Sequence, residues 1–413
     1  MTLLAEAPFR SETSLMNKEK WHRVKFGDVV TCTNENTRNP LEDGLTRYVG
    51  LDDLDPGELR IRRWGAVADG TTFTRVFRSG QVLFGKRRAY QRKAALADFD
   101  GICSGDILVF EAKPDVLMPD LLPFIVQSDG FFDRALSTSA GSLSPRTKWS
   151  ELSQYEFDLP PLDEQRRIAE VLWAAEELIE CHNANLADLR AILKALVSEA
   201  TATDKHAFTR IGDIGQAGRQ TVQVGPFGSS LASKRFVLSG TPVLKINNIN
   251  EDNELDFSNL VYVDPMYAVG FHRYSVQQGD LVTAAQATTG RTALVPDECK
   301  GALISQHLIR VRINAAVCRP EFLYACFTSE IIMRQIAGVR QKSTRDGLNT
   351  ADVEGFIIPL PSVEEQDLLV AKLNLLRQKI GEVERQIERT RSVAKGLREK
   401  TIARGEVSNV QRI

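Results

Sequence analysis

Leu159-Pro160-Pro161-Leu162-Asp163-Glu164-Gln165 and, 201 residues on, Leu360-Pro361-Ser362-Val363-Glu364-Glu365-Gln366 decide how this chain folds. Leucine, proline, glutamate and glutamine fall at the same places in both. Proline cannot continue a strand ladder and turns the residue before it away from helix, so each stretch is a forced change of direction. The paired acids at its end suit the first turn of a helix, where the backbone dipole favours negative charge.

Beyond each stop the sequence becomes periodic. Ile168, Leu172, Ala175, Ile179, His182, Leu186, Leu189, Leu193 and Leu196 alternate steps of four and three. Leu369, Leu373, Leu376, Ile380, Val383, Ile387, Thr390, Ala394 and Leu397 do the same, each 201 residues from its partner. A 4-3 alternation averages 3.5 residues per turn, the signature of a coiled-coil seam, with Glu, Arg, Lys and Gln on the remaining faces. Each helix should run for about 38 residues, or about 57 Å. Two such helices are most economically packed against each other as a stalk. His182 and Thr390 are polar intrusions that a seam tolerates.

Ahead of each stop the repeat continues with gaps. Gly27-Asp28 matches Gly212-Asp213, Tyr48–Leu54 lies over Val243–Ile249, Gly80-Gln81-Val82-Leu83 over Gly279-Asp280-Leu281-Val282, and Pro119–Leu122 over Pro320–Leu323. Short apolar runs bounded by Gly, Asp or Pro (Gln81–Phe84, Ile107–Phe110, Val243–Ile246, Leu308–Ile313) read as strands. Leu121–Ser128 and Phe322–Ile336 read as helices. The fold class is therefore mixed α/β (α+β): two similar globules and two long helices in a pseudo-twofold repeat. The expected boundaries are a polar leader over 1–20, a first globule over 21–158, a first long helix over 159–203, a second globule over 204–358, and a second long helix with its tail over 359–413.

Composition narrows the class. At 43% apolar and 26% charged residues the chain has the make-up of an ordinary folded protein, and no apolar run approaches the length of a membrane span. The six cysteines (Cys32, Cys103, Cys181, Cys299, Cys318, Cys326) form no CxxC pair, and the five histidines are dispersed. They read as buried structural thiols in a reducing cytoplasm, with no metal site and no cofactor. A net charge of −2 argues against coating nucleic acid by bulk attraction, while leaving room for basic residues gathered on one face.

From about Trp21 to the end of the second helix, this order resembles the specificity subunit of type I restriction-modification systems. The paired stops ending in Glu164-Gln165 and Glu365-Gln366, the Gly-Asp openings and Gly279-Asp280-Leu281-Val282 carry the resemblance; Gly80-Gln81 departs from it at what reads as a turn. The resemblance implies two target recognition domains, each reading one part of a split sequence in double-stranded DNA. It also implies an antiparallel coiled coil that fixes their separation, two docked methyltransferase subunits, and in some assemblies a restriction subunit. Nothing in it calls for a membrane or for catalysis by this chain.

Candidate DNA contacts come from the loops. Gly85–Lys93 packs Lys86, Arg87, Arg88, Arg92 and Lys93 around Tyr90 and Gln91, just after a strand. Lys and Arg neutralise phosphates, and Arg or Gln can pair with base edges. The matching stretch of the second half offers Gln286, Thr288, Thr289 and Arg291, less charged but rich in hydrogen-bonding groups. Lys245, Asn247 and Asn248 come after a strand, and Arg60, Arg62 and Arg63 sit beside Trp64. Each half also places a polar, basic loop before its stop: Ser142, Ser144, Arg146 and Lys148, then Lys342, Ser343, Thr344 and Arg345.

No Asn/Asp-Pro-Pro-Tyr/Phe motif that would hold a target amino group is present, so the chain is not expected to methylate DNA itself. Gly80–Lys86 imitates the start of a phosphate loop but is too apolar, and Arg87 stands where Ser or Thr would hold magnesium. Asp100, Glu111 and Lys113 imitate a nuclease triad, yet the second half has Arg312 and Asn314 at the last two places. The competing reading is an adaptor whose globules bind protein, with the helices as a spacer.

Overall fold

The computed structural model describes residues 20–141, 143–201, 206–228, 231, 233–286, 289–342 and 347–402. The chain divides into two compact units. The first comprises the chain up to Asn183 together with Arg385 onward, and the second comprises Ala184–Glu384. Each therefore holds one globule and a part of both long helices. The leader over 1–20 lies outside the described residues except for Lys20.

In the first unit a four-stranded antiparallel sheet runs in the order Val30–Thr33, Ile107–Ala112, Val82–Gly85, Ala94–Leu96. A second sheet is ordered Gly65–Ala66, Arg47–Val49, Gly101–Cys103, Arg75–Phe77, with its central pair parallel. A two-stranded ribbon, His22–Lys25 against Glu156–Leu159, closes the globule by pairing its beginning with its end. The second unit repeats the scheme. Val222–Val224, Leu308–Val311, Leu281–Ala284 and Thr292–Leu294 form the antiparallel sheet. The second sheet is Phe236–Val237, Val261–Val263, Thr241–Leu244 and Leu303–Ile304, and Phe208–Arg210 pairs with Ile357–Pro359 as the ribbon.

Central strands are buried on both sides, which is why they read as unbroken apolar runs. Val82 to Gly85 are all buried, so the imitation phosphate loop is the middle of a sheet. Around it the first core stacks Phe26, Phe84, Phe110, Phe131 and Tyr155 edge to face. The second core relies on aliphatic residues and thiols, with Phe322 and Phe327 fully enclosed. Four of the six cysteines are buried and Cys32 is half-buried. Cys181 departs from the expectation: it lies on the solvent side of the first long helix.

Two helices expected from the sequence are broken. The stretch over Phe322–Ile336 is two helices, Pro320–Phe327 and Glu330–Lys342, and Leu121–Ser128 shortens to Leu122–Val126 before a new helix over Asp129–Ser137. Hydroxyls make the breaks. Ser128 Oγ accepts from Phe131 N as an N-cap, and Ser329 Oγ bonds back to Cys326 O. The apolar period continues through both breaks, which concealed them.

The long helices run from Leu162 to Ala200 and from Val363 to Ile402. Burial tracks the seam. In the first unit Ile168, Leu172 and Ile179 are buried, Ile387 is buried, and Leu397 packs against the cluster that contains Ile168 and Leu172. In the second unit Leu369, Leu373 and Val383 are buried, while Leu186, Leu193, Leu376 and Ile380 are half-buried. The side chains of His182 and Thr390 are half-buried, as a tolerated polar seam position should be.

The repeated glutamine of each stop has a defined role. Gln165 Oε1 accepts from Met118 N at 2.8 Å, and its Nε2 donates to Val116 O at 3.0 Å and Pro160 O at 2.8 Å. Gln366 makes the same three bonds with Arg319 N (2.7 Å), Val317 O (3.2 Å) and Pro361 O (3.0 Å). Both side chains are buried, so each clamp ties its globule to the start of a long helix with every polar group satisfied.

Candidate nucleic-acid interface

The first unit brings two of the sequence-selected loops together. After the strand Val82–Gly85, residues 86–88 lie alongside 145–147: Arg87 bridges Arg146, Arg88 N donates to Pro145 O, and Thr147 N donates to Lys86 O at 3.0 Å. Between them stands Asp106. Its backbone carbonyl accepts from Lys86 N, while its carboxylate takes Arg146 Nε at 2.8 Å and Nη2 at 3.2 Å and lies 3.5 Å from Arg87 Nη1. The hydrogen bonds from Arg146 hold the Asp106 carboxyl below its ordinary range, against the opposing effect of partial burial. Arg87 also donates to Ser144 Oγ at 3.1 Å, and its Nε is buried without a partner. Arg146, Lys148 and Tyr90 are exposed around this node.

Arg88 and Arg92 both adopt left-handed backbone, with φ of 54° and 53°, on either side of the turn Ala89–Gln91. Such a conformation is uncommon outside glycine. Arg92 has a structural partner in Asp129 at 2.6 Å and lies over the Phe132 ring. Lys93 is also withdrawn from the surface, donating to Leu51 O at 2.8 Å. Of the cationic run, then, Lys86, Arg87 and Arg88 belong to the node, and Arg92 and Lys93 brace the globule beneath it.

The second unit builds the same node with other residues. Leu348 N donates to Ala285 O at 2.8 Å where Thr147 N meets Lys86 O, and Ala285 N donates to His307 O where Lys86 N meets Asp106 O. Position for position, Ala285 replaces Lys86, Gln286 replaces Arg87, Gly347 replaces Arg146 and His307 replaces Asp106. Gln286 Oε1 lies 3.0 Å from His307 Nδ1, and Gln306 Nε2 lies 3.0 Å from His307 Nε2. Thr289 Oγ1 is buried without a partner, and Arg291 pairs with Glu251 at 3.2 Å. Thr288, Ser343, Thr344 and Arg345 lie outside the described residues, as does Ser142 in the first half. Lys342 ends a helix, and its side chain is likewise outside them.

Elsewhere the sequence candidates divide. Asn247 is exposed, but Asn248 is buried: its Oδ1 accepts from Lys245 N and its Nδ2 donates to Asp256 O. It caps a turn, as Asp53 does for Gly50 in the first unit. Lys245 is half-buried, its Nζ 5.7 Å from the Phe236 ring centre. Arg60 lies over Trp173 while Arg62 pairs with Glu180, both partners on the first long helix, and Arg63 binds Asp55 at 2.6 Å. These three arginines brace the globule.

The nuclease-like spacing dissolves. Asp100 binds Arg78 and Ser79 N, Glu111 accepts from Gln81 at 3.1 Å, and Lys113 donates to the carbonyls of Gly27 and Asp28. The departure at Gly80-Gln81 is likewise structural. Gln81 Oε1 accepts from Arg78 N at 2.8 Å as Asp280 Oδ2 accepts from Gln277 N at 2.8 Å, and the turn is left-handed at both Gly80 and Gly279. Across the sheet the partner changes with it, Glu111 for Gln81 and Arg312 for Asp280. Among the described residues no group of His, Cys, Asp or Glu is placed to hold a metal ion, and no helix is long and apolar enough to cross a membrane.

Sequence reasoning missed Asp106 and His307, the residues at the centre of the two nodes. Their signal was available: they are 201 residues apart, and each precedes one of the apolar strands read from the sequence.

Two repeats of one α/β domain, with matched surface nodes of unlike chemistry, define a duplicated protein whose halves share a scaffold and differ where they face outward. The chain belongs to the family described as the type I restriction modification DNA specificity domain, which matches residues 18–191 and again 207–389. It is 22% identical over 422 residues to the type I restriction enzyme MjaVIII specificity subunit of Methanocaldococcus jannaschii, covering 95% of both chains. It is 22% identical over 298 residues to the EcoBI specificity subunit of Escherichia coli, an alignment spanning 66% of this chain and 62% of that one. The EcoDI subunit of the same organism is 25% identical over 198 residues, 44% of its length. The chain thus spans less than two thirds of these two Escherichia coli relatives. Among solved structures, the S subunit of a type I restriction-modification system from M. genitalium superposes with a TM-score of 0.59 at 12% identity, covering 94% of this chain and 97% of that one. A chain from a structural study of type I R-M complex assembly gives 0.59 at 19% identity, covering 92% and 97%. These likenesses establish the fold.

Proposed function

We propose that the chain is the non-catalytic DNA sequence-specificity subunit of a type I restriction-modification complex, reading a split, asymmetric target in double-stranded DNA with one globule on each part. The observation that carries this reading is the pair of nodes. Both halves make the same backbone bonds at matched positions, yet one presents Lys86, Arg87, Asp106 and Arg146, and the other Ala285, Gln286, His307 and Gly347. Two half-sites of different sequence require this arrangement of one scaffold with two chemistries. Exposed Lys148 and Tyr90 adjoin the first node in sequence, and Asn247 is exposed on the second globule. The loops carrying Thr288, Lys342, Ser343, Thr344 and Arg345 adjoin the second node in sequence and are assigned to DNA with it.

The two long helices act as an antiparallel coiled coil that sets the separation of the half-sites, and methyltransferase subunits, two of them, dock on this frame. A restriction subunit joins the same assembly in a complete system. Half-sites one helical turn apart, roughly 34–36 Å, would present both major grooves on one side.

Methylation mapping of DNA from cells that express the chain with its partner methyltransferase, and from cells lacking the chain, tests the proposal. A bipartite asymmetric motif that appears only when the chain is present is the expected result. A motif unchanged by its removal would sink the proposal and favour the adaptor.

A further inference from the structure

We infer that Asp106 is a specificity-determining positioning residue: it gathers Arg87 and Arg146 into one oriented pair of guanidinium groups, and so converts attraction for any DNA into discrimination at the half-site of the first domain. The inference rests on the DNA-reading function proposed above and goes beyond it by naming the residue that makes a cationic loop selective.

Four observations converge on it. Arg87 and Arg146 come from loops 59 residues apart in the sequence and face each other across a backbone bridge, so their like charges would push the two loops apart. The Asp106 carboxylate meets one arginine through two bonds and the other at 3.5 Å, a charge-assisted arrangement that orients planar guanidinium groups. Arg146 and Arg87 keep 47% and 37% of their side-chain surface exposed, so the pair can still reach another molecule. Finally, the matching position of the second domain is His307, which meets Gln286, and a glycine, Gly347, stands at the place of Arg146.

The physical consequence is a trade. Four cations (Lys86, Arg87, Arg88 and Arg146) with one carboxylate leave the first node with three net positive charges, whereas four cations without it would attract phosphates more strongly and more loosely. A fixed fork of guanidinium donors can pair with guanine O6 and N7, and a loose one prefers phosphates, which carry no sequence information. The carboxylate therefore lowers bulk attraction and raises selectivity.

The test uses the complex of the full chain with its methyltransferase subunits. Once the motif is mapped for the unaltered complex, binding is measured to four duplexes: intact, scrambled in the first domain's half-site, scrambled in the other, and scrambled in both. With Asp106→Asn, discrimination against the first scrambled duplex should fall by about tenfold or more. Discrimination at the other half-site should stay, and affinity for fully scrambled DNA should rise. Asp106→Glu, which retains the charge on a side chain one methylene longer, should restore discrimination. The inference is overturned if Asp106→Asn leaves discrimination intact, if it changes affinity for all duplexes equally, or if Asp106→Glu fails to rescue. An unaltered complex that yields no bipartite motif would instead overturn the proposed function, so the two failures are distinct.

Discussion

At the scale of single residues, the clearest lesson is the glutamine that ends each stop. The sequence marked Gln165 and Gln366 as a repeat but could not say why glutamine was needed. The reason is the mixed demand of the site, which offers one backbone N–H and two carbonyls and so asks for an acceptor and two donors on one short side chain. Gln165→Ala would leave Met118 N, Val116 O and Pro160 O unpaired in the interior, and should destabilise the first unit by about 2–4 kcal/mol in urea unfolding. The neighbouring glutamates diverge: Glu164 accepts from Trp21 Nε1 at 3.1 Å, whereas Glu365 caps Ser362 N at 2.9 Å. The cationic run Lys86–Lys93 was legible as a feature, but its division into a surface node and internal braces was not. That division depends on Asp129 and Leu51, which are close only after folding.

At the scale of elements, period was a better guide than propensity. The 4-3 seam identified both long helices with nearly their observed lengths, because nine matched positions in each, eight of them apolar, outvote any single residue. Short strands of two or three residues, such as Gly65–Ala66 and Phe236–Val237, have too few positions to show a period, so of the second sheets only the strand at Val243–Ile246, observed at Thr241–Leu244, was read. Along the second long helix the seam makes a quantitative claim. Leu373 is fully buried and Val393 is 69% exposed. Leu373→Ala should cost about 2–5 kcal/mol through lost burial and a residual cavity, while Val393→Ala should stay within about 0.5 kcal/mol. Equal effects in chemical unfolding would show that the helix does not use the seam.

At the scale of the whole molecule, duplication was the property most fully legible, because it rests on spacing and not on chemistry. The nodes were only half legible: their loops stood out by charge, but Asp106 and His307 did not, since an acid or a histidine ahead of a strand has no mark of its own. If the long helices are the ruler between two half-sites, removing seven residues from each shortens that ruler by about 10 Å. The mapped motif should then lose about three base pairs of spacer at a rise of 3.4 Å, with both half-sites unchanged. An altered half-site with an intact spacer would refute the ruler. The glutamine clamps carry a further consequence. Every partner of Gln165 and Gln366 is a main-chain group, and main-chain groups are common to all residues. Sequence inside a globule can therefore diverge widely without loosening the fastening, provided one loop still offers an N–H and a carbonyl at the right place. If the globules are the reading heads proposed above, such a fitting would make them interchangeable, so that one chain could acquire a new target by replacing a globule while keeping its mount.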